Sequence, residues 1–193
     1  MVPEVVNSFD GLQEALATSA RCTDPPVLAI DGFDGSGKTY LAERLAASMN
    51  AAHLKLDDFL NEKGGGFLDH LRYDELATAV DRARQKGAVI IEGVCVQEVL
   101  ERLRVEPSVH IYVKYLVAGF IWQPAGVLSM ESVSAGLARK EEKCRRYAAL
   151  SGDSVEPGED LVGGLQRELI EYHYRYRPHE RADIIYERSD DPT

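Results

Sequence analysis

A short glycine-rich stretch carries the spacing of a phosphate-binding loop. Gly32, Gly37, Lys38 and Thr39 occupy every fixed position of the pattern G-x-x-x-x-G-K-[ST]. In this pattern, glycines let backbone N–H groups turn toward a polyphosphate, the lysine reaches its terminal phosphates, and the threonine hydroxyl holds Mg²⁺. The candidate cofactor-binding residues are Gly32, Asp34, Gly35, Ser36, Gly37, Lys38, Thr39 and Tyr40.

The segments on either side of this loop have the character that the pattern requires. The apolar run Val27–Ile30 predicts a strand buried on both faces. Leu41, Leu45 and Met49 then recur at helical spacing. Because strand, loop and helix follow in this order, a phosphate site is favoured over the alternative, a glycine-rich turn with a chance lysine.

Acidic residues follow two further predicted strands. The segment Ala51–Leu56, which we expect to neighbour the strand of the phosphate loop, ends in Asp57 and Asp58, and Ala88–Glu92 ends in its own glutamate. Ligands of open α/β sheets bind at the carboxyl ends of the strands. These carboxylates are therefore candidates for chemistry, and Glu92 is the candidate for orienting Mg²⁺. A solvated acidic turn or a helix cap is the alternative for the aspartate pair.

Residues 60–73 form a candidate acceptor-binding loop. The glycine run Lys63–Gly66 predicts a flexible loop, and chemically versatile side chains follow it at Asp69, His70, Arg72 and Tyr73. The sequence leaves a closing segment and a plain linker equally open.

The densest basic stretch lies in a helix predicted over residues 131–150, which we interpret as a small lid. Its cations are Arg139, Lys140, Lys143, Arg145 and Arg146. Arginines that close over a transferring phosphoryl group would neutralise its charge and exclude water. The alternative is a solvated helix face, balanced by Glu131, Glu141 and Glu142.

The composition excludes several classes of protein. The chain has 193 residues and a formal net charge of −10, which suits one domain over 1–193 and argues against bulk attraction to nucleic acid or anionic lipid. We find no apolar run long enough to span a membrane, and three cysteines without metal-ligand spacing fit a reducing compartment. We therefore expect a cytoplasmic protein; the sequence leaves homo-oligomer formation open.

Strands and helices alternate along the chain in five βα units. This order predicts an α/β fold with a five-stranded parallel sheet covered by helices on both faces, a three-layer α/β/α arrangement.

Four motifs in this order resemble the uridine kinase-like branch of P-loop kinases, which includes phosphoribulokinase and bacterial pantothenate kinase. They are Ile30–Thr39, Leu56–Phe59, Ile90–Gly93 and Tyr172–Asp183, and the resemblance covers roughly residues 26–187. It implies a P-loop NTPase fold similar to that of nucleoside monophosphate kinases, with ATP and Mg²⁺ as cofactors. The chain departs from uridine kinases after Asp57, where it lacks their Tyr-Arg pair.

The resemblance also implies roles for individual residues. It favours Asp57 over Asp58 as the general base on an acceptor hydroxyl. With the residues identified above from the phosphate loop, the strand ends, the candidate acceptor loop and the basic helix, the candidate catalytic set is Asp57, Lys38, Arg139, Arg145 and Arg146, and the candidate metal set is Thr39, Glu92 and Asp57. The candidate substrate-binding set is Asp57, Asp58, Phe59, Asp69, His70, Arg72, Tyr73 and Glu92.

Together these observations predict an ATP-dependent kinase that phosphorylates a hydroxyl of a small molecule, most plausibly a nucleoside or nucleoside-like compound. Two alternatives stay open at this point. One is a phosphotransferase that modifies an antibiotic with the same residues. The other is a nucleotide-binding switch that phosphorylates no acceptor; its GTPase version is disfavoured because the sequence shows no Asn-Lys-x-Asp segment.

Overall fold

The computed structural model describes residues 2–18, 25–61, 66–156 and 158–189. The strands are β1 (Glu4–Val6), β2 (Val27–Gly32), β3 (Ala52–Lys55), β4 (Val89–Glu92), β5 (Val109–Leu116) and β6 (Ile184–Ser189). The helices are α1 (Phe9–Thr18), α2 (Lys38–Met49), α3 (Tyr73–Arg84), α4 (Val96–Leu103), α5 (Ala125–Leu128), α6 (Val133–Ser151), α7 (Gly164–Tyr176) and α8 (Pro178–Arg181). Two short 3₁₀ turns cover Leu56–Phe59 and Leu68–His70.

The strands form one parallel sheet in the order β1-β6-β5-β2-β4-β3. The predicted parallel α/β architecture is confirmed, but the sheet has six strands and the predicted number of five is wrong. The additional strand, β1, is only three residues long and pairs Glu4–Val6 with the start of β6. So short a segment shows neither alternation nor an apolar run, and its pairing depends on a strand near the other end of the chain.

The position of β3 also differs from expectation. We expected this strand to lie beside β2, but β4 lies between them and β3 is at the edge of the sheet. Periodicity predicts strands but not their neighbours. Asp57 is therefore two strands away from the phosphate loop, and the turn that carries it must reach back toward Lys38.

Each face of the sheet packs against its own helices. One hydrophobic cluster joins Val27, Ala29 and Ile91 to buried residues of α3, α4 and α7. The other joins Leu28, Ile30 and Ile90 to α1 and α2. Alternate residues of β2 thus point to opposite layers, which explains why its apolar run is unbroken. Among the residues with described structure, none of the helices is both long and apolar enough to cross a membrane.

Candidate active site

Lys38 lies inside the curve of the phosphate loop. Its side chain is 7% exposed, and its Nζ donates a hydrogen bond to the carbonyl oxygen of Phe33 at 2.7 Å. Burial lowers the pKa of Lys38, while the nearby carboxylates of Asp31 and Glu92 oppose that shift. The ammonium is thus directed at the loop interior, where a bound phosphate oxygen would be a stronger acceptor than the carbonyl.

The start of the loop leaves no room for a side chain. A Cβ on Gly32, whose φ is +153°, would lie 2.6 Å from the Val113 carbonyl oxygen and 2.8 Å from Ser36 Oγ. That Oγ is buried, and it has no hydrogen-bond partner among the described residues. A buried hydroxyl without a partner, beside a buried ammonium, fits a phosphate group. These residues are therefore suited to the predicted polyphosphate.

The outer residues of the motif are open to solvent. Asp34 and Gly35 are exposed at the crest of the loop, and Gly37 precedes the first turn of α2. Tyr40 is 64% exposed on that helix, with the Arg44 guanidinium carbon 5.8 Å from the centre of its ring. Tyr40 therefore lies on the outer surface of α2, whereas Lys38 and Ser36 point inward.

Thr39, in the first turn of α2, is in contact with Glu92 at the end of β4. The Thr39 hydroxyl donates to Glu92 Oε1 at 2.9 Å, and His53 Nε2 lies 3.8 Å from the same oxygen. Burial alone would raise the pKa of Glu92, but interactions with His53, Thr39 and Lys38 outweigh it and hold that pKa below its usual value. The glutamate is therefore ionised at neutral pH.

This pair of side chains fits a magnesium ion only together with a nucleotide. Within the described ranges, no three His, Cys, Asp or Glu residues are grouped to hold a metal. Mg²⁺ in phosphate-transfer sites is commonly held by one or two protein oxygens, with phosphates and water completing its shell. Thr39 and Glu92 supply that number of ligands, and the predicted role of Asp57 in holding the ion stays a prediction.

Asp57 reaches this centre because a glycine allows close packing. A Cβ on Gly93 would lie 2.8 Å from Leu56 Cβ, so the turn carrying Asp57 packs directly on the residue after Glu92. Desolvation raises the pKa of Asp57, and the negative charge of Glu92 raises it further, against Lys55 and Lys38. The side chain remains exposed. An accessible carboxylate with a raised pKa is suited to accept a proton.

The ends of the candidate acceptor loop are fastened together, although residues 62–65 within it lie outside the described residues. Leu60 bridges to Leu71, and Arg72 Nη2 donates to the Asp58 carbonyl oxygen at 2.8 Å. The Asp58 carboxylate is exposed, and Phe59 packs on the core. On α7, Glu168 Oε2 accepts from the N–H groups of Phe67 and Leu68 at 2.8 and 3.1 Å. The loop is thus attached to the α7 helix.

Two of the predicted substrate-binding residues interact with α4. Arg102 Nη1 lies 3.4 Å from Asp69 Oδ1 and 3.2 Å from the Tyr73 hydroxyl. His70 is partly buried and closes the loop, because its carbonyl accepts from Asn61 N at 2.9 Å. The described contacts of Asp69 and Tyr73 are therefore structural.

The basic helix presents its lysines, not its arginines, to the phosphate loop. A cavity of about 830 Å³ lies between the loop residues 33–36, the segment 120–127, α6 and α7, and Lys140 and Lys143 line it. Arg139 and Arg145 pair with Glu142 and Glu141, each at 2.7 Å. Arg146 is exposed. The three arginines are outside the cavity lining, and their predicted contact with a phosphoryl group stays a prediction.

Sequence reasoning missed a buried polar network behind the loop. Asp31, which is fully buried, accepts from Gly32 N at 2.7 Å through Oδ1 and from the Tyr172 hydroxyl through Oδ2. His110 Nε2 lies 3.6 Å from the same Oδ2. The signal was present, because an aspartate at the end of an apolar run must have buried partners. Its partners lie on β5 and α7, and no local pattern identifies them.

A second missed group surrounds Phe33. This ring stacks on His173 at 4.2 Å, and His173 Nε2 contacts the Tyr112 hydroxyl at 2.7 Å. His173 Nδ1 lies 2.7 Å from the Leu169 carbonyl oxygen, which only accepts, so Nδ1 carries the proton and Nε2 accepts from the tyrosine. Burial lowers the pKa of His173 to about 4. The side of the phosphate loop is thus supported by a neutral histidine.

Comparisons with known proteins give only distant likenesses. No protein-family model matches the chain, and a search of curated proteins gives no match. Among solved structures, a candidate fructose transport system kinase from Silicibacter sp. TM1040 is 13% identical, with a TM-score of 0.48 and coverage of 94% of this chain and 100% of that one. A candidate uridine kinase from Bacillus stearothermophilus is 14% identical, with a TM-score of 0.48 and coverage of 92% and 96%.

A gluconokinase from Sinorhizobium meliloti 1021 is 15% identical, with a TM-score of 0.36 and coverage of 78% of this chain and 90% of that one. None of these likenesses reaches 25% identity or a TM-score of 0.5.

Proposed function

We propose that the protein is an ATP-dependent kinase that transfers the γ-phosphoryl group of ATP to a hydroxyl of a small molecule. One observation carries the proposal. Lys38, the Thr39–Glu92 pair and Asp57 come from the carboxyl ends of three different strands, and their charges act on one another. Phosphoryl transfer needs a cation for the phosphates, a metal-holding pair and a base for the acceptor.

The roles follow from the chemistry of each group. Lys38 and the loop amides hold the phosphates of ATP, and Thr39 and Glu92 hold Mg²⁺. When bound, this ion neutralises charge that builds up on the phosphate oxygens. Asp57 accepts the proton of the acceptor hydroxyl while the acceptor oxygen bonds to the γ-phosphorus, and ADP leaves with the electrons of the broken bond.

The arginines of α6 are assigned by helix geometry. Successive residues turn by about 100° around a helix. Arg139 and Arg146 therefore lie about 40° and 60° from Lys143, on the same side of it, whereas Arg145 lies about 160° away. Of the predicted arginines, Arg139 and Arg146 are the better placed to approach a phosphoryl group.

The proposal also names the class of acceptor, a nucleoside or nucleoside-like compound. It is supported by the sequence resemblance to uridine kinase-like enzymes. The first experiment measures ADP formation with Mg²⁺ across nucleosides, sugars, vitamins and aminoglycosides, with the product identified by mass. Acceptor-dependent ADP formation supports the kinase and names the acceptor. Turnover restricted to antibiotics supports the modifying enzyme, and ATP binding without turnover on any acceptor supports the switch.

Asp57→Asn tests the assigned base. The substitution is nearly isosteric but cannot take a proton, so we expect kcat to fall about 10²–10⁴-fold while ATP binding stays nearly intact. Asp58→Asn is the matched comparison and is expected to lose much less, because the charges of Lys38 and Glu92 act on Asp57. Normal turnover by Asp57→Asn would show that the base is assigned wrongly.

A further inference from the structure

The cavity beside the phosphate loop is open, large and mixed in character. Its volume is about 830 Å³, within the range of small-molecule sites. Trp122 and Ile170 form part of an apolar wall, and Phe120 and Tyr147, which also line it, are 77% and 70% exposed. Large exposed aromatic side chains around a cavity indicate a ligand that covers them.

Two lysine side chains give this cavity a positive region. Lys140 and Lys143 lie one turn apart on the face of α6 that lines it. A Cβ on Gly126 would be 3.9 Å from Lys143 Nζ, which places that ammonium beside α5. Within the described part of the chain, no carboxylate lies within ion-pair distance of either lysine, although Arg139 and Arg145 on the same helix are paired. In a protein of net charge −10, two such lysines at a cavity favour an anion.

The cavity adjoins the acceptor side of the site. Asp34 lines it and also acts electrostatically on Asp57 and Lys38. Gln166 and Ile170 form its α7 wall, and Glu168, on the same helix but outside the cavity lining, holds the acceptor loop through Phe67 and Leu68. One helix thus supports both the cavity and the loop. In the proposed function the phosphates of ATP bind elsewhere, to Lys38 inside the phosphate loop.

We propose that Lys140 and Lys143 bind an anionic group of the acceptor, a carboxylate or a phosphate, while its hydroxyl lies toward Asp34 and Asp57. This inference rests on the proposed kinase activity and restricts its acceptor to hydroxylated small anions, so that a nucleoside-like acceptor is included only where it carries such an anionic group. The apolar wall around Trp122 packs against the body of the acceptor. A neutral nucleoside or sugar leaves both ammonium groups without a partner and binds more weakly.

Trp122 provides a readout that does not depend on turnover. It is the only tryptophan in the chain and lies in the cavity wall, so its fluorescence reports occupancy. The protein is saturated with ADP and Mg²⁺ and titrated with matched pairs: glucose and gluconate, ribose and ribose 5-phosphate, uridine and its 6-carboxylate. We expect at least one anion to bind tenfold or more tightly than its neutral partner. The gluconate and uridine 6-carboxylate pairs test a carboxylate, and the ribose 5-phosphate pair tests a phosphate.

Lysine variants then locate the anion. Lys140→Gln and Lys143→Gln are each expected to weaken binding of the preferred anion about tenfold without changing the Kd of ADP. Lys143→Arg keeps the charge and should retain most of the affinity, which also controls for folding. Lys86→Gln, in the exposed turn after α3, removes one charge from the protein and should change neither Kd.

Three binding results and one activity result would overturn the inference. One is equal or undetectable binding of both members of every pair. Another is an unchanged Kd for the anion in both lysine variants. The third is weaker binding of ADP rather than of the anion, which would assign the lysines to the nucleotide. Neutral acceptors that are phosphorylated as well as anionic ones would refute this inference alone, whereas the absence of any acceptor-dependent ADP formation would refute the kinase proposal.

Discussion

The phosphate-loop edge and the basic helix α6 both carry cationic side chains, but they hold them in different ways. Lys38 is buried, and its partners come from the loop and from neighbouring strands. Arg139 and Arg145 are exposed, and their partners are glutamates three or four residues away on the same helix. The first cation is positioned by the fold, whereas the latter two are positioned only by their own helix.

This difference decides how a charge can act. A buried cation interacts in a low effective dielectric, and its direction is fixed before any ligand binds. An exposed arginine in a local ion pair is screened by water and salt, and must leave its partner to reach a ligand. The density of basic residues in α6 therefore says less about chemistry than the single buried lysine.

The largest expected effect comes from removing the buried cation. Lys38→Ala should lower kcat/KM at least about 10³-fold, because phosphate charge loses its preorganised partner. ATP affinity should fall as well. The measurements are acceptor-dependent ADP formation and ATP binding by calorimetry, with circular dichroism to verify folding. Unchanged ATP affinity would mean that the phosphates do not bind in this loop.

A second effect concerns the support of the loop by His173 and the dependence of stability on pH. The folded pKa of His173 is about 4, below its ordinary value of 6.5, so the unfolded chain binds more protons between these pH values. Stability is therefore lost as pH falls from about 6.5 toward 4. The expected loss from this residue is about 2 kcal/mol between pH 7 and pH 5.

Urea unfolding at the two pH values measures that loss. His179, whose pKa burial also lowers to about 4, contributes over the same interval. The informative quantity is therefore the difference between wild type and His173→Gln, since the glutamine does not titrate. The variant should lose less stability than the wild type on acidification. Equal losses of stability in both proteins would show that folding does not lower the pKa of His173.

The comparison also explains how much the sequence could predict. Gly32, Lys38 and Thr39 were identified because a loop between a strand and a helix is a local structure with a local pattern. The strands β2 and β4 were predicted because burial on both faces makes them continuously apolar. The predicted roles of Asp57 and Arg146 concern contacts with substrates, and the local pattern of the chain does not specify those contacts.

The remaining features depend on contacts between distant segments. The strand order places β3 at the edge of the sheet. The strand β1 forms by pairing with β6, which is near the other end of the chain. The direction of α6 is set by its contact with α7, where α6 packs so closely that a Cβ on Gly136 would lie 2.9 Å from the Tyr174 hydroxyl oxygen. That contact decides which cations of α6 face the cavity. No periodicity in the sequence contains this information.

A smaller effect is expected from the network behind the loop. Tyr172→Phe removes the hydroxyl that donates to Asp31 and leaves a buried carboxylate with one partner fewer, at a cost of about 1–3 kcal/mol in unfolding free energy. Tyr176→Phe, one turn on, is the matched control because its hydroxyl bonds to an exposed Glu101. It should cost well under 1 kcal/mol. Equal losses of unfolding free energy in the two variants would mean that the buried Tyr172–Asp31 hydrogen bond stabilises the protein no more than the exposed Tyr176–Glu101 bond.

The smallest effect should come from the exposed ion pair of α6. Glu141 and Arg145 are four residues apart in the favourable order, so Arg145→Ala should cost at most about 0.5 kcal/mol, and this cost should vanish in 1 M salt. Ser132→Ala removes the N-cap of the same helix, whose Oγ accepts from Ala135 N at 3.2 Å, and should cost about 1 kcal/mol in either salt. Unfolding in urea at low and high salt measures both. A loss of activity in Arg145→Ala larger than that in Lys143→Gln would contradict the comparison, because it would require the far side of α6 to turn toward the phosphate loop.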